Sequence, residues 1–224
     1  MLTIASVIEE DALERLRQMA AKLTWRDGSV TAGATARAVK QNEQADLSSP
    51  AGRTVTKMVT EAITSHPVFK AAARPKRLSN LIMSRTANGG HYGAHVDNAL
   101  MRRNGELFRT DLSFTLFLTE PEDYDGGDLV IHQAGVRQAA KGQAGDLILY
   151  PSSSIHEVMP VTRGERLVCI GWVESCVEDE RCREMLFDLE NLRVSLRATL
   201  PPQSAELLIL DKTMANLLRM WANP

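Results

Sequence analysis

The chain has 224 residues, of which 44% are hydrophobic and 24% charged, and its formal net charge is -2. This length and composition are those of a globular protein with one sizeable core, which excludes a disordered or fibrous chain. The slight negative charge also argues against the broad basic surface that non-specific nucleic-acid binding requires.

No apolar run approaches the roughly 18 residues of a membrane-spanning helix. The N-terminal stretch MLTIASVIEEDALERL turns acidic before a signal-peptide core can form. We therefore expect a cytoplasmic protein that does not enter a membrane. The cysteines Cys169, Cys176 and Cys182 are odd in number and have no CxxC spacing, so we expect them to be reduced and structural.

Two amphipathic helices are predicted in the first part of the chain, residues 1–77. Their apolar positions recur at helical spacing, and these are Leu13, Leu16, Ala20 and Leu23, then Val55, Val59, Ala62 and Ile63. The second helix should end at His66-Pro67. The segment from Asp27 to Gln44 has weak periodicity and is predicted to be a loop over the core. The whole region is expected to pack on the domain that follows.

From residue 78 to residue 176 the period changes to that of β-strands. Short runs of β-favouring residues are separated by Gly, Asp, Asn and Pro, and they are LIMSR, DLSFTLFLT, GGDLVIH, GDLILYP and RLVCIGWVES. In the second run Leu112, Phe114 and Leu116 alternate with Ser113 and Thr115, so one face is apolar and the other polar. The pattern is typical of a β-sandwich or barrel.

The remaining residues, 177–224, return to a helical pattern. The predicted helices are separated by Pro201-Pro202, and their apolar positions are Cys182, Met185, Leu186, Leu189 and Leu196, then Leu207, Leu210, Met214, Leu217 and Trp221. The second set has the alternating steps of three and four that packed helices use. Docking onto the chain's own sheet is favoured, and a homo-oligomer through these helices is the alternative.

A metal-ligand pattern lies in the stretch GGHYGAHVDNALMRR. If HVD is extended, His95 and Asp97 project to the same side and offer an imidazole and a carboxylate to one ion. A mononuclear non-haem Fe(II) site needs a further histidine. His156 follows a predicted strand, and Arg166 begins another strand ten residues later. This spacing predicts neighbouring strands, with a carboxylate-binding guanidinium at the far wall of a pocket.

Other residues near these positions are open to more than one interpretation. Arg163 could anchor an anion in place of Arg166, but it falls in a predicted turn where solvent is the expected partner. His91 is interpreted as a loop residue and His132 as a partly buried structural residue. A cluster of arginines follows the first ligands, and a solvated face is slightly favoured over a flap that steers anionic substrates. Its members are Arg102, Arg103 and Arg109.

Taken in order, the HxD motif, the distant histidine and the arginine ten residues later resemble the Fe(II)- and 2-oxoglutarate-dependent dioxygenase superfamily. The resemblance is strongest to the PKHD-type hydroxylases, bacterial proteins with a prolyl/lysyl hydroxylase-like domain, and it covers nearly the whole chain. The segments that carry it are WRDGSVTAG, VKQNEQ, HYGAHVDNALM, RTDLSFTLFLTEPEDYDGGDLVIH, YPSSSIHEVMPVTRGERLVCIGWVES and NLLRMWA.

This resemblance implies a mainly β protein with α flanks, built as a double-stranded β-helix, or jelly roll, with the terminal helices packed on it. It implies Fe(II) bound by His95, Asp97 and His156, and 2-oxoglutarate bound by Arg166, with Tyr92 lining the cosubstrate pocket. O2 as the second cosubstrate and ascorbate (vitamin C) as a reductant are implied as well. The implied reaction hydroxylates an unidentified substrate while 2-oxoglutarate is decarboxylated to succinate.

One departure from the family pattern is Thr86, which stands where an aromatic residue is expected after Arg85. The substrate class, small molecule, peptide or protein, is not readable from the residues. One alternative is a module that binds iron and 2-oxoglutarate and signals their status to a partner through the C-terminal helices. Another is a cupin-like zinc or manganese enzyme without 2-oxoglutarate, against which Arg166 argues.

Overall fold

The computed structural model describes residues 1–31, 39–103, 105–133 and 135–224. In this part of the chain two antiparallel sheets face each other, and helices cover the outer face of the larger one. None of the helices described combines the length and the apolar composition that a bilayer-spanning helix needs. The arrangement is the layered one in which each sheet buries an apolar face.

The large sheet is built around the longest strand, β17 (Glu165–Ser175). Its order is β1 (Leu2–Ile4), β14 (Leu147–Pro151), β10 (Leu112–Phe117), β17, β6 (Ile82–Ala87), β4 (Glu43–Ala45) and β2 (Trp25–Asp27). The C-terminal half of β17 also pairs with β5 (Pro75–Leu78). Strands from both the N-terminal region and the middle of the chain therefore share one sheet.

The small sheet has the order β13 (Val136–Ala140), β12 (Leu129–Gln133), β15 (Ile155–Val158), β7 (His91–His95) and β3 (Lys40–Gln41). Two further strand pairs belong to neither sheet, β8 (Leu100–Arg103) with β9 (Glu106–Arg109), and β11 (Asp125–Gly126) with β16 (Val161–Arg163). Leu129 and Ile131 of β12 belong to one buried cluster with Val168 of β17 and Ile148 of β14, so apolar side chains of the two sheets pack together.

Strand β10 shows why the large sheet lies at the centre of the molecule. Its predicted apolar face, with Leu112, Phe114 and Leu116, packs into the core shared with the helices. The sequence predicts a polar opposite face, yet Ser113 and Thr115 are also buried, at 2% and 3% exposure. They line a cavity between the two sheets, so both faces of the strand are enclosed.

The outer helical layer consists of α1 (Glu10–Ala20), α2 (Pro50–Ser65) and α3 (Pro67–Ala73). Both predicted N-terminal helices are confirmed. At the start of α2 the Ser49 hydroxyl accepts a hydrogen bond from the Gly52 amide at 3.1 Å, and a proline stands at the first helical position. The buried residues of α1 and α2 complete the core on the large sheet.

Both predicted C-terminal helices are also confirmed, as α4 (Glu180–Arg197) and α5 (Ala205–Trp221), with the proline pair in the break between them. Asp179 and Ser204 cap their N-termini. Helix α5 contacts α4, and α4 contacts α3. Leu207, Leu210 and Met214 of the predicted seam are buried.

The segment from Asp27 to Gln44, predicted as a loop, contains regular structure at its ends. Strand β3 pairs with β7 of the small sheet, and β4 pairs with β6 of the large sheet. Residues 32–38 lie outside the described residues. Strands of two or three residues show no repeat, so periodicity could not reveal them.

We expect Phe114→Ala to destabilise the fold by about 3–5 kcal/mol, because it removes a fully buried ring from the core. Phe114 is 1% exposed and meets the Phe69 ring edge-on at 6.3 Å between centroids. Guanidinium unfolding measures the change. Leu208→Ala is the control, since Leu208 is 56% exposed and its loss should cost less than about 1 kcal/mol. Equal losses would contradict this account of the core.

Candidate metal centre

Three potential metal ligands meet where the small sheet opens toward the large one. His95 ends β7, Asp97 lies two residues further, and His156 is on the adjacent strand β15, directly opposite His95 in the register. One ligand atom from each residue lies within 4.8 Å of the others. His95 Nε2 is 4.0 Å from Asp97 Oδ1, and His156 Nε2 is 3.7 Å from Asp97 Oδ2. Two imidazoles and one carboxylate are the donor set of non-haem Fe(II) sites.

Local backbone structure orients the two imidazole rings. His95 Nδ1 lies 2.8 Å from the Gly93 carbonyl oxygen, and His156 Nδ1 lies 3.1 Å from the Ser154 carbonyl oxygen. A proton on Nδ1 donates to each carbonyl, which leaves Nε2 of each ring unprotonated toward the centre. Burial, and then the neighbouring His156, lower the pKa of His95 to about 4. His95 is therefore neutral at pH 7, the form that binds a metal.

The Asp97 carboxylate is held by the buried Ser113, which in turn contacts the buried Ser152. The Ser113 hydroxyl donates to Asp97 Oδ2 at 2.6 Å, and the Ser113 and Ser152 hydroxyl oxygens lie 2.7 Å apart. Ser113 comes from the large sheet, so this bond joins the two sheets at the metal centre. Because a hydrogen-bonded carboxylate has fewer orientations, Ser113 restricts the position of the Asp97 carboxylate.

We expect Ser113→Ala to weaken divalent metal binding by about 10–100-fold, the loss typical of removing a partner of a metal ligand. Titration calorimetry with Co(II) under anaerobic conditions measures it. Ser113→Thr keeps the hydroxyl and should retain most of the affinity. If Ser113→Ala binds Co(II) as the unaltered protein does, the hydrogen bond to Asp97 does not position the carboxylate.

The three ligands line a cavity of about 620 Å³ between the sheets, and Arg166 lines it as well. Arg166 is 3% exposed, and its guanidinium lies 5.2 Å from the centroid of the Phe117 ring. Among the described residues, Arg166 Nε and Nη2 have no hydrogen-bond partner. Burial lowers the pKa of Arg166, whereas Tyr124 and Tyr150 oppose this. Arginine nevertheless stays charged, and a buried charge calls for an anionic partner.

One predicted relation between these residues is wrong. His156 and Arg166 do not lie on neighbouring strands, because β15 belongs to the small sheet and β17 to the large one. They come from opposite walls of the cavity instead. In the sequence the short strand β16 lies between β15, which carries His156, and β17, which carries Arg166. The chain therefore passes through β16, which pairs with β11, on its way from the small sheet to the large one.

Arg163, the alternative anion anchor, is exposed and lies in an ion pair with Asp125 at 2.8 Å. It does not line the cavity, whereas Arg166 does. Tyr92 lines the cavity and stacks on the His95 ring at 3.7 Å between centroids. Burial raises the pKa of Tyr92 to about 12, so its hydroxyl stays protonated. Thr86 is a buried cavity residue opposite Arg166 in the register.

The other histidines of the β region lie outside the three-residue cluster. His91 begins strand β7 and is not in a loop, with Nδ1 at 3.4 Å from a backbone carbonyl oxygen. His132 Nε2 lies 3.1 Å from Glu157 Oε1. Of the clustered arginines, Arg109 forms ion pairs with Asp111 and Glu178 that anchor the β8–β9 hairpin.

Sequence reasoning missed Ser113, Ser152 and Lys40, all of which bear on the centre. The sequence placed Ser113 on the polar face of a strand. Only the structure shows that this face contacts Asp97, which follows a strand of the other sheet. Lys40 lies far upstream and lines the cavity beside Tyr92. It belongs to the segment VKQNEQ, which resembles the family, but that resemblance assigned Lys40 no role at the site.

Comparison with known proteins assigns the chain to a family. The family model described as "2OG-Fe(II) oxygenase superfamily" matches residues 81–174. The model described as "PKHD-type hydroxylase C-terminal domain" matches residues 179–223. A PKHD-type hydroxylase from Hyphomonas neptunium is 45% identical over 223 residues, covering 100% of each chain. The chain belongs to the PKHD-type hydroxylases. The predicted family is thereby confirmed.

Solved structures with low sequence identity share the fold of this PKHD-type hydroxylase. A prolyl hydroxylase from Trichoplax adhaerens, in complex with a hypoxia inducible factor peptide fragment, aligns with a TM-score of 0.59 and 15% identity, covering 82% of this chain and 86% of that one. HygX from Streptomyces hygroscopicus, with nickel and 2-oxoglutarate bound, aligns with a TM-score of 0.54 and 15% identity, covering 76% and 80%. The predicted jelly-roll core is confirmed.

The predicted enzyme class is confirmed as well. This PKHD-type hydroxylase is a 2-oxoglutarate- and Fe(II)-dependent dioxygenase, an oxidoreductase whose substrate is unidentified. Membership of the family implies Fe(II) and 2-oxoglutarate, and the two imidazoles and one carboxylate of the centre fit that metal.

Proposed function

We propose that His95, Asp97 and His156 bind Fe(II), and that Arg166 binds the distal carboxylate of 2-oxoglutarate. The observation that carries the proposal is the shared cavity, in which a buried arginine faces a cluster of two imidazoles and one carboxylate. Bound iron with 2-oxoglutarate and O2 supplies the oxidising chemistry of such enzymes. The protein contributes the ligands, their orientation and an enclosed site.

The surrounding residues have supporting roles in this proposal. The Gly93 and Ser154 carbonyls keep both imidazoles in the ligand form, and Ser113 holds the carboxylate. Arg166 places a permanent positive charge at one wall for the cosubstrate. Tyr92, stacked on His95, lines the cavity that holds the cosubstrate.

The proposal extends to the reductant, the partners and the location. Ascorbate maintains the ferrous state, and the substrate is a small molecule, a peptide or a protein. Nucleic acid is disfavoured by the net charge of -2. The enzyme acts in the cytoplasm, and a second copy could dock through the C-terminal helices, where Leu192, Leu208 and Ile209 are 47% to 59% exposed.

The test is an anaerobic titration with Fe(II) and 2-oxoglutarate. We expect the weak visible charge-transfer band of a bidentate 2-oxo acid chelate, followed by succinate formation when O2 is admitted. Succinate that forms in proportion to a product heavier by one oxygen atom establishes hydroxylation. Absence of the band from the intact protein would refute the assignment of the iron site.

A further inference from the structure

The β8–β9 hairpin has an inner face that packs on the protein and an outer face that is exposed. Cross-strand partners, and alternate residues along a strand, share a face. Met101 and its partner Phe108 lie on the inner face, where Phe108 is fully buried and Met101 lines the central cavity. On the outer face Leu100 is 60% and Leu107 is 56% exposed. Arg102, the cross-strand partner of Leu107, is exposed beside them.

The outer face also carries positive charge that the hairpin itself does not balance. Glu106, the carboxylate of the hairpin, forms an ion pair with Arg77 at 3.0 Å. Among the residues that the structure describes, Arg102 takes part in no ion pair, and its Nη1 donates to the Gly105 carbonyl oxygen at 3.0 Å. A guanidinium can bind a carboxylate with two parallel hydrogen bonds. The face therefore suits a ligand that combines an anionic group with apolar groups.

The hairpin stands beside the opening of the central cavity. Val96 and Ile155 line the cavity and are 55% and 51% exposed, so they lie where it opens to solvent. Each is the sequence neighbour of a proposed metal ligand, His95 or His156. Strand β8 begins three residues after the third proposed ligand, Asp97. A ligand that lies across the hairpin is therefore close to an apolar entrance to the metal centre.

Ion pairs fix the base of the hairpin before any ligand binds. Arg109 Nε and Nη2 donate to the two carboxylate oxygens of Asp111 at 2.7 and 3.0 Å. Arg109 Nη1 donates to Glu178 at 2.8 Å. Asp111 also accepts the Ser175 amide of β17 at 2.8 Å, which ties the base to the large sheet. A surface that is already ordered loses less conformational entropy when it binds a partner.

The position of this face favours a peptide over other occupants. A small molecule enclosed in the cavity of about 620 Å³ does not reach the outer face of the hairpin. Exposed apolar side chains grouped on one face are typical of interaction sites. A bilayer could contact leucine and arginine, but its surface cannot also place a reacting group between the two sheets. An extended peptide can do both, because successive residues point to opposite sides.

We propose that the outer face of the β8–β9 hairpin binds a peptide segment of a protein substrate. An acidic residue of this segment pairs with Arg102, its apolar side chains cover Leu100 and Leu107, and a residue next to them enters the cavity. The inference rests on the proposed iron and 2-oxoglutarate site, and it narrows the substrate of that site to a protein with an acidic and apolar sequence.

The test selects random decapeptides displayed on phage against the intact protein, loaded with Mn(II) and 2-oxoglutarate under anaerobic conditions. We expect enrichment of peptides that combine Asp or Glu with Leu, Ile or Phe. Mn(II) should broaden the proton NMR signals of an enriched peptide, because its unpaired electrons act on nearby protons. Fluorescence anisotropy measures its affinity. Arg102→Gln and Leu107→Ser should each weaken binding by about tenfold, the loss of one charged hydrogen bond or of one apolar contact.

Arg137→Gln and Leu208→Ser are the matched controls. Arg137 lies on β13 in an ion pair with Glu157 at 2.9 Å, and Leu208 lies on α5 and is 56% exposed. Both variants should bind the peptide as the unaltered protein does. Normal binding of Mn(II) and 2-oxoglutarate by the two hairpin variants shows that they are folded.

Three results would overturn the inference. The selection could enrich no peptides of this composition, the hairpin variants could retain full affinity, or Mn(II) could leave the peptide signals sharp. Binding of the protein to phosphatidylglycerol vesicles that both hairpin substitutions abolish would assign the face to a membrane and overturn it as well. An unaltered protein that binds neither Mn(II) nor 2-oxoglutarate would refute the proposed function instead, and the selection can be repeated on metal-free protein to keep the two outcomes apart.

Discussion

Replacing His156 with alanine should abolish the charge-transfer band and reduce succinate formation to background. The side chain is 5% exposed, and its Nε2 faces the Asp97 carboxylate. Its removal leaves one imidazole and one carboxylate as ligands. Metal affinity should therefore fall by more than about 100-fold, which exceeds the loss typical of removing a residue that only hydrogen-bonds to a ligand. Anaerobic Fe(II) titration with 2-oxoglutarate, and succinate measured after O2 is admitted, report the two effects.

His132→Ala is the matched control for this substitution. His132 is on β12, the strand that pairs with β15, and its ring contacts Glu157 outside the three-residue cluster. This variant should keep both the band and the turnover. A band of normal intensity in His156→Ala would show that another group completes the metal site.

A second large effect is expected for Arg166→Met. Methionine has similar length and keeps the packing on Phe117, but it removes the buried charge that faces the cavity. Losing one partner of a buried charged pair costs about 2–5 kcal/mol, so half-saturation should require roughly 100-fold more 2-oxoglutarate. The charge-transfer band, titrated at saturating Fe(II), measures this concentration directly.

Arg163→Met tests the alternative anchor three residues earlier. Arg163 is exposed and paired with Asp125, and exposed ion pairs contribute little. Its loss should leave the 2-oxoglutarate requirement within about twofold of the original, the size of a surface effect. If Arg163→Met shows the larger change, the cosubstrate lies nearer the β11–β16 pair than we propose.

Much of the fold could be predicted from local patterns. The helices α1, α2, α4 and α5 have apolar residues at helical spacing, and prolines end α2 and separate α4 from α5, so each was found at nearly its observed position. Five strands, β6, β10, β12, β14 and β17, were found because their β-favouring runs and the turn residues between them are local signals. The sequence did not reveal shorter strands such as β3, β8 and β13, the helix α3, or the relations between elements distant in sequence.

The metal cluster was largely predictable for a chemical reason. Histidine and aspartate in the order HxD are close in sequence, and His156 completes a donor set that few other residues could supply. The neighbours of the cluster were not predictable. Ser113 reaches Asp97 from the opposite sheet, and Lys40 reaches Tyr92 from an edge strand. Neither contact has a spacing that a sequence pattern could reveal.

By itself the sequence determined the element types, the family and the chemical nature of the candidate ligands, because these depend on residue identity and short-range order. Only the tertiary structure decided which sheet carries each residue, and it placed His156 and Arg166 on opposite walls of the cavity. It also buried Arg166 while leaving Arg163 in solvent. The physical reason is that the burial and the charge environment of a side chain depend on packing between strands far apart in the chain. The register of those strands decides which side chains face each other.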